Sequence, residues 1–252
     1  MYCYLHDAFL RDHRYESQIN KIENRLAELG LQGKTERLTI LKNMREIVQD
    51  AIKKGVDTIV AVGDDSTISK LLSLIAEKNI TLGIIPMGPK QSITQMLGIP
   101  GGPAACDTLS KRIVKRLDLG KINGHYFLRS LEISKSNVML ESDRGYQISA
   151  VAGENEIRIT NLPASSQEIG DSNPEDGFLE AIVQPTKQRG FLPMFRRQFS
   201  RASVFPLRRV RITCSNECVP LLVDNETVIK TPAAVEIAPG SLRVIVGAKR
   251  FF

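Results

Sequence analysis

The sequence has few of the side chains that build thiol, metal or histidine-based sites. Among 252 residues there is no tryptophan, and there are only three histidines and four cysteines. The histidines are scattered, which excludes a histidine-based catalytic triad or metal cluster. The cysteines make neither a disulfide framework nor a paired zinc signature, so we predict that they are structural. Walker A and GxSxG sequences are also absent.

Long apolar segments are missing as well. No hydrophobic run approaches the roughly 20 residues that a transmembrane helix needs. Residues 1–7 lack the basic start and the apolar stretch of a signal peptide, so the expected location is the cytoplasm. Hydrophobic residues make up 42% of the chain and charged residues 25%, which excludes global disorder. The length permits one large domain or two of about 100–150 residues each.

Strand and helix patterns alternate in the first half of the chain. The predicted helices cover residues 14–29, 43–54 and 67–78, and the predicted strands cover 2–5, 37–41, 57–62 and 81–86. This order favours an open, mostly parallel α/β sheet. Ligands of such sheets bind at the carboxyl ends of the strands, which are here residues 63–67 and 87–92.

The sequence pattern changes after residue 118, where short β-rich runs separated by turn residues replace the helical pattern. They predict an antiparallel second domain, either a sandwich or a short barrel. The runs cover residues 126–133, 146–151, 156–159, 179–183, 210–214, 220–223 and 234–237. We therefore divide the chain into an α/β domain over 1–118 and a β-rich domain over 119–240. The last strand, within 241–252, can return to the first domain.

The segment Gly63-Asp64-Asp65-Ser66-Thr67 leaves a buried strand and enters a helix. Backbone amides at a helix N-terminus are suited to holding phosphate. The alternative is an ordinary turn in which Asp65 or Ser66 caps the helix.

Two loops together resemble the diacylglycerol kinase catalytic family, a distant relative of NAD kinase. The family sequence VGGDGTxNE is similar to residues 62–70, and LGIIPLGTGNDFARxLGIP is similar to residues 82–100 without a gap. Three later segments resemble family segments in the same order, at 117–124, 173–180 and 223–226. The resemblance implies an α/β nucleotide-binding domain followed by an all-β lipid-binding sandwich, the NAD kinase/diacylglycerol kinase-like fold.

The resemblance also implies an activity and its residues. The family transfers the γ-phosphoryl group of ATP to a lipid hydroxyl, such as that of diacylglycerol, with Mg²⁺. The implied catalytic residues are Asp65, Asp224 and Glu226, with Glu226 and Asp224 supplying the general base. The implied metal site joins Asp176 to the carbonyl groups of Asn173 and Phe178. The implied nucleotide contacts are Thr39, Gly63, Asp64, Ser66, Thr67, Gly88 and Lys90.

Several positions depart from the family pattern. Asp64 and Ser66 replace glycines, and Asp64 adds a negative charge where an anionic ligand is expected. Pro89 removes an amide donor from the second loop. Residues 6–10 show no match to the family phosphate loop NPxSG. These changes favour an alternative, a catalytically degenerate member that binds nucleotide or lipid as a sensor or partner. A soluble acceptor, as in NAD kinase, is a third reading.

Two lysines compensate for the changes in the phosphate loops. Lys70 and Lys90 can replace lost phosphate contacts with positive charge.

A basic stretch lies in the second half of the chain. Residues 187–211 hold eight basic and no acidic residues, and four of the nine phenylalanines. This composition favours contact with an anionic membrane at its inner face, against a connector helix that packs its phenylalanines. Nucleic-acid binding is disfavoured because no nucleic-acid module accompanies the charge. A homodimer is left open.

Overall fold

The computed structural model describes residues 1–39, 43–133, 137–150, 155–163, 172–185, 202–214 and 218–252. The chain divides into two units. Unit 1 comprises Met1–Leu119 and Pro239–Phe252, and unit 2 comprises Gly120–Ala238. Within the described ranges, no helix is both long enough and apolar enough to cross a membrane.

Unit 1 is built on a parallel sheet with helices between its strands. The first four strands are β1 (Tyr2–His6), β2 (Gly33–Arg37), β3 (Thr58–Gly63) and β4 (Thr81–Pro86). The helices are α1 (Glu16–Glu28), α2 (Met44–Lys53), α3 (Asp65–Ile75), α4 (Ser92–Met96) and α5 (Ala104–Lys111). The strand order is β2-β1-β3-β4, and every neighbouring pair is parallel.

The central strands of unit 1 follow directly from their composition. β3 and β4 carry continuous apolar runs, and every residue in both strands is buried. Such runs are typical of parallel strands covered on both faces. Helix α3 buries Ile68, Leu71, Leu72 and Ile75 along one face. The predicted open α/β sheet is thus confirmed.

The edge strand of this sheet lies earlier in the chain than predicted. The strand predicted over 37–41 is misplaced, because β2 occupies Gly33–Arg37 and residues 38–39 are not in a strand. Residues 40–42 lie outside the described part of the chain. Only Glu36 of β2 is buried, so the strand has no apolar run for a sequence pattern to detect. Helices α4 and α5 were not predicted; α4 has only five residues, too few to show a helical period.

Unit 2 consists of strands, two of which continue into unit 1. These two are β5 (Val114–Ile122) and β16 (Ala233–Ile245). The remaining strands are β6 (His125–Phe127), β7 (Ser130–Ile133), β8 (Val138–Ser142), β9 (Gln147–Ala150), β10 (Asn155–Thr160), β11 (Leu179–Pro185), β12 (Ser203–Leu207), β13 (Arg209–Thr213), β14 (Pro220–Val223) and β15 (Thr227–Lys230).

Two antiparallel sheets form unit 2. One has the order β12-β11-β10-β7-β14-β15, and the other contains β9-β8-β13-β16 with β5 and β6. Both sheets contribute to one hydrophobic core; Leu131 and Ile159 come from the first, and Phe127, Leu140 and Ile212 from the second. A core shared by two antiparallel sheets is the sandwich arrangement that the turn-separated runs predicted.

The last strand behaves differently in its two halves. In unit 2 it pairs antiparallel with β13, and in unit 1 Arg243 and Val244 pair in parallel with Thr81 and Leu82 of β4. The run predicted over 234–237 and the predicted final strand are parts of one strand of 13 residues.

After β16 the chain approaches the end of α4 at two glycines of unit 1. A Cβ atom on Gly247 would lie 1.7 Å from the carbonyl oxygen of Gly98, which is closer than atoms can pack. The Gly247 N–H donates to the Leu97 carbonyl at 2.9 Å, and the Phe251 N–H donates to the Met96 carbonyl at 3.1 Å. Glycine therefore permits this backbone contact.

We expect Gly247→Ala to destabilise the protein by about 3 kcal/mol, because the two backbones must separate to admit the methyl group. Urea unfolding followed by circular dichroism measures the loss. Gly101→Ala is the matched control, since its Cβ would meet nothing closer than Gln91 Oε1 at 3.7 Å. Equal midpoints for the two variants would contradict the close approach.

Candidate functional site

The loops that follow β1, β3 and β4 are joined at the carboxyl edge of the unit 1 sheet. The Asp7 N–H donates to the Val62 carbonyl at 3.0 Å. The Met87 N–H donates to the Gly63 carbonyl at 2.8 Å, and the Asp65 N–H donates to the Lys90 carbonyl at 3.0 Å. The structure thus brings together the residues that the sequence assigned to the two nucleotide loops.

Asp65 is the centre of these contacts. It is buried, and its Oδ2 accepts from the Ser92 N–H at 2.8 Å and from the Ser92 hydroxyl at 2.7 Å. Its Oδ1 accepts from the Ile93 N–H at 3.2 Å. Because α4 begins at Ser92, the carboxylate binds the first turn of that helix. Asp65 therefore fixes the second loop against the first.

Asp64 caps helix α3. Its Oδ1 accepts from the Ser66 N–H at 3.1 Å and from the Thr67 N–H at 3.4 Å. The prediction that Asp65 or Ser66 caps the helix was therefore wrong by one residue. The bonded amides belong to the helix N-terminus that would otherwise be available to phosphate. An intramolecular carboxylate takes the place of an external anion here.

Gly63 lies so close to the Thr67 side chain that a larger residue at 63 would clash with it. A Cβ atom on Gly63 would lie 2.2 Å from Thr67 Oγ1. That hydroxyl donates to Asp7 Oδ2 at 2.7 Å, which ties the start of α3 to the loop after β1. A glycine at 63 therefore allows the threonine at 67 to reach Asp7.

The second loop is shaped around Gly88. This residue has φ +95°, and a Cβ atom there would lie 3.0 Å from Cζ of Phe9. The Gln91 side-chain amide donates to the Gly88 carbonyl at 2.8 Å. Lys90 is exposed, so its ammonium group is accessible to solvent at this edge.

Two further predicted residues lie around this edge. The Leu38 N–H donates to the His6 carbonyl at 2.9 Å, so the half-buried Thr39 follows β2 where that strand leaves the sheet. Lys70 is exposed on α3. His6 is buried, and this burial, together with the positive charge of Arg37, lowers the pKa of His6 to about 4. His6 is therefore neutral near pH 7 and adds no positive charge.

In unit 2, Asp224 and Glu226 lie in the hairpin turn between β14 and β15. Asp224 and Asn225 both have positive φ, at 48° and 59°, as a primed hairpin turn requires. The Glu226 N–H donates to the Val223 carbonyl at 2.9 Å, and Glu226 is half-buried. The Asp-Asn pair is thus a turn, as its local sequence indicates.

The Asp224 carboxylate is buried and receives three backbone donors. The Leu128 N–H binds Oδ2 at 3.0 Å, and the N–H groups of Arg129 and Ser130 bind Oδ1 at 2.9 Å each. Burial raises the pKa of Asp224, while the three N–H donors act in the opposite direction. Its lone pairs are committed to the 128–130 backbone, so Asp224 positions the hairpin.

The predicted metal residues share one turn before β11. The Asp176 N–H donates to the Asn173 carbonyl at 3.3 Å, and Asp176 Oδ1 accepts from the Phe178 N–H at 2.9 Å. Asn173 Oδ1 accepts from the Glu175 N–H at 3.1 Å. Asp176 itself is exposed. Carboxylate and carbonyl oxygens are the ligands that Mg²⁺ prefers.

Glu180 adds a buried carboxyl group beside this turn that the sequence analysis did not single out. Burial, with a smaller contribution from the negative charge of Asp176, raises its pKa to about 7. Its Oε2 has no hydrogen-bond partner within the described ranges. A buried oxygen without a donor next to a second carboxylate fits a cation. No cluster of three or more His, Cys, Asp and Glu side chains that could hold a metal occurs in those ranges.

Asp7, Phe9 and Glu180 are thus the site residues that sequence reasoning missed. Asp7 and Phe9 fall in the stretch that showed no match to the family phosphate loop. Glu180 follows the predicted metal turn directly, in the segment 173–180 that resembles the family, and its acidic character was the available signal.

The fold and the loops define an α/β unit with a candidate ligand site at its carboxyl edge, together with an antiparallel β unit. A crystal structure of a diacylglycerol kinase from Bacillus anthracis has the same fold, with a TM-score of 0.77. The superposition covers 98% of this chain and 97% of that chain at 19% sequence identity.

Sequence comparison finds similarity to one family. Residues 12–122 match the diacylglycerol kinase catalytic domain. A diacylglycerol kinase of Bacillus subtilis is 26% identical over 118 residues, which are 45% of this chain and 39% of the relative. One from Staphylococcus saprophyticus is 33% identical over 81 residues, which are 31% of this chain and 27% of the relative. Residues 12–122 of the chain are therefore similar to the diacylglycerol kinase catalytic domain family.

The alignments cover less than half of the length of these curated relatives. The matched residues include both loops that were predicted to bind nucleotide, residues 62–70 and 82–100. Asp176, Asp224 and Glu226 lie outside the matched range 12–122.

We expect Asp65→Asn to destabilise the protein by about 2–3 kcal/mol, because the amide cannot replace a carboxylate that accepts donors on both oxygens. Urea unfolding measures the change. Asp50→Asn is the control, since Asp50 is exposed on α2 and the same charge is removed. Should both variants unfold at the wild-type midpoint, Asp65 does not hold the two loops together.

Proposed function

We propose that the protein is an ATP-dependent lipid kinase that transfers the γ-phosphoryl group to a lipid hydroxyl, such as that of diacylglycerol. The match of residues 12–122 to the diacylglycerol kinase catalytic domain carries this proposal. Relatives named diacylglycerol kinase support the choice of a lipid acceptor. We also propose that the protein works at the inner face of a membrane, where such an acceptor resides.

Unit 1 supplies the nucleotide site in this proposal. Asp65 and Thr67 hold the loops after β1, β3 and β4 in one arrangement through Ser92 and Asp7. Phosphoryl transfer depends mainly on positioning and charge stabilisation, so rigid loops are useful even where they do not touch the ligand. The exposed Lys90 provides positive charge for the phosphates.

Glu226 is the general base in this proposal. Its neighbour Asp224 is committed to three backbone amides and holds the hairpin on which Glu226 sits. Glu226 is half-buried at the end of that turn, where a carboxylate can accept the proton of an incoming hydroxyl. The pair thus divides into a positioning residue and a base.

The turn before β11 would hold Mg²⁺. Asp176 would offer its carboxylate, Asn173 and Phe178 their carbonyl groups, and Glu180 the buried oxygen that lacks a donor. When bound, the ion would supply positive charge beside the carboxyl groups of Asp176 and Glu180. The chain's own part is to keep these oxygens together, which the Asp176–Phe178 hydrogen bond does.

One observation favours the alternative of a catalytically degenerate binding protein. The Asp64 carboxylate occupies the first amides of α3, and a phosphate at that position would meet both a filled site and a like charge. Nucleotide would then bind weakly, and the protein would serve as a sensor or partner.

Transfer of label from γ-labelled ATP into a lipid extract, with Mg²⁺, tests the kinase directly. We expect label in the organic phase with the wild-type protein, and at least about a hundredfold less with Glu226→Gln, because the base is lost. Glu141→Gln, at an exposed position of β8, is the matched control and should keep the wild-type rate. If folded wild-type protein transfers no label, the degenerate alternative replaces the kinase.

Replacing Asp64 tests what limits nucleotide binding. We expect Asp64→Gly to bind Mg-ATP about tenfold more tightly, because it frees two amides and removes a negative charge. Asp64→Asn removes the charge but keeps a capping side chain, so it should gain less. Calorimetric titration compares the three proteins. Weaker binding by Asp64→Gly would mean that Asp64 itself assists the nucleotide.

A further inference from the structure

Two arginines converge on one aromatic ring at the surface of unit 2. The guanidinium carbon of Arg208 lies 4.7 Å from the centre of the Phe178 ring, and that of Arg144 lies 5.0 Å from it. Both arginines are exposed. Their charges are therefore no more than about 10 Å apart, which is about one Debye length at an ionic strength of about 0.1 M. Like charges held at this distance repel each other.

The fold imposes this convergence. Arg144 lies in the β8–β9 turn, where its N–H donates to Ser142 Oγ at 3.2 Å. The Asp143 N–H donates to the Arg209 carbonyl at 3.1 Å, and the Tyr146 hydroxyl donates to the Pro206 carbonyl at 2.7 Å. These two bonds join the turn to the segment that carries Arg208. The arginines are therefore neighbours even though they are 64 positions apart in the sequence.

Carboxylates offset the positive charges of neighbouring arginines, but not those of Arg144 and Arg208. Arg209 forms an ion pair with Glu236 at 3.3 Å, and Arg211 lies opposite Glu141 in the β13–β8 ladder. Neither Arg144 nor Arg208 has an ion pair within the described part of the chain.

Two carboxylates do lie in the same turns, but within the described ranges neither forms an ion pair with Arg144 or Arg208. Asp143 accepts from the Ser142 hydroxyl at 3.3 Å, and Asp176 accepts from the Phe178 N–H at 2.9 Å.

We propose that Arg144 and Arg208, stacked on Phe178, form a clamp that binds the phosphate headgroups of anionic membrane lipids. Each guanidinium group offers several N–H donors to phosphate, and stacking on the ring restricts its motion. A bound anion would relieve the repulsion between them. The clamp is a docking surface, and it does not depend on phosphoryl transfer.

The surroundings favour a lipid phosphate over a soluble one. Val204 of β12 is 38% exposed, and the neighbouring Phe205 is half-buried against Tyr146, so apolar side chains lie close by in the chain. Arg208 also belongs to the basic stretch 187–211, of which residues 187–201 lie outside the described part. Basic and apolar side chains together suit an anionic bilayer surface.

Co-sedimentation with vesicles, without ATP, tests the clamp independently of any kinase activity. Vesicles of phosphatidylcholine alone are compared with vesicles that also contain phosphatidylglycerol. We expect the wild-type protein to bind only the anionic vesicles. The double variant Arg144→Gln/Arg208→Gln should bind them about 30-fold less, the change for two basic side chains at a membrane surface.

The matched control is Arg209→Gln/Arg211→Gln, which removes the same charge from residues that face carboxylates. We expect it to bind within about threefold of wild type, because Glu236 and Glu141 already offset much of its charge. An equal loss in both double variants would assign binding to net charge and overturn the clamp. So would wild-type binding that is the same with and without phosphatidylglycerol.

Two further arms keep the test decisive. Inorganic phosphate is titrated at constant ionic strength, and release of the protein from vesicles at millimolar phosphate would assign the clamp to a soluble anion. If the double variant unfolds, the single Arg144→Gln replaces it, since this side chain is exposed in a turn. About a fivefold loss is then expected, and an unchanged affinity would overturn the proposal.

Discussion

Buried carboxylates bound to backbone amides hold both candidate sites in place. An ionised carboxylate is costly to bury unless donors surround it. Asp65 meets this requirement with the first turn of α4, and Asp224 meets it with the backbone of residues 128–130. Each carboxylate joins segments that are distant in the sequence. The loops of unit 1 and the hairpin of unit 2 keep their shapes through these contacts.

The same interaction explains how the loop after β3, which departs from the family pattern at Asp64, remains folded. A loop rich in glycine leaves helix N-terminal amides open to a ligand, whereas Asp64 supplies a carboxylate from within the chain. The replacement of glycine is therefore favourable for the apo protein, because two amides gain a partner. It is unfavourable for an anionic ligand for the same reason. Folding stability and phosphate affinity are thus opposed at this residue.

The sequence predicted what depends on local pattern. Continuous apolar runs located β3 and β4. The polar edge strand β2 was misplaced because burial does not shape its composition. The family pattern located Asp65 and Thr67. Their partners are 27 and 60 positions away, at distances along the chain that no local pattern connects.

In unit 2, neighbouring strands connect the candidate base to the candidate cation turn. The Asp224 N–H donates to the Ser130 carbonyl, Ser130 lies opposite Thr160, and Thr160 lies opposite Glu180. Thr160 and Ser172 also share a hydrogen bond between their hydroxyl groups at 3.0 Å. Ser130, Thr160 and Glu180 thus form a row across β7, β10 and β11, which are adjacent in one antiparallel sheet. Because ladder hydrogen bonds fix the register of these strands, the positions of Glu180 and of the hairpin bearing Glu226 are set together.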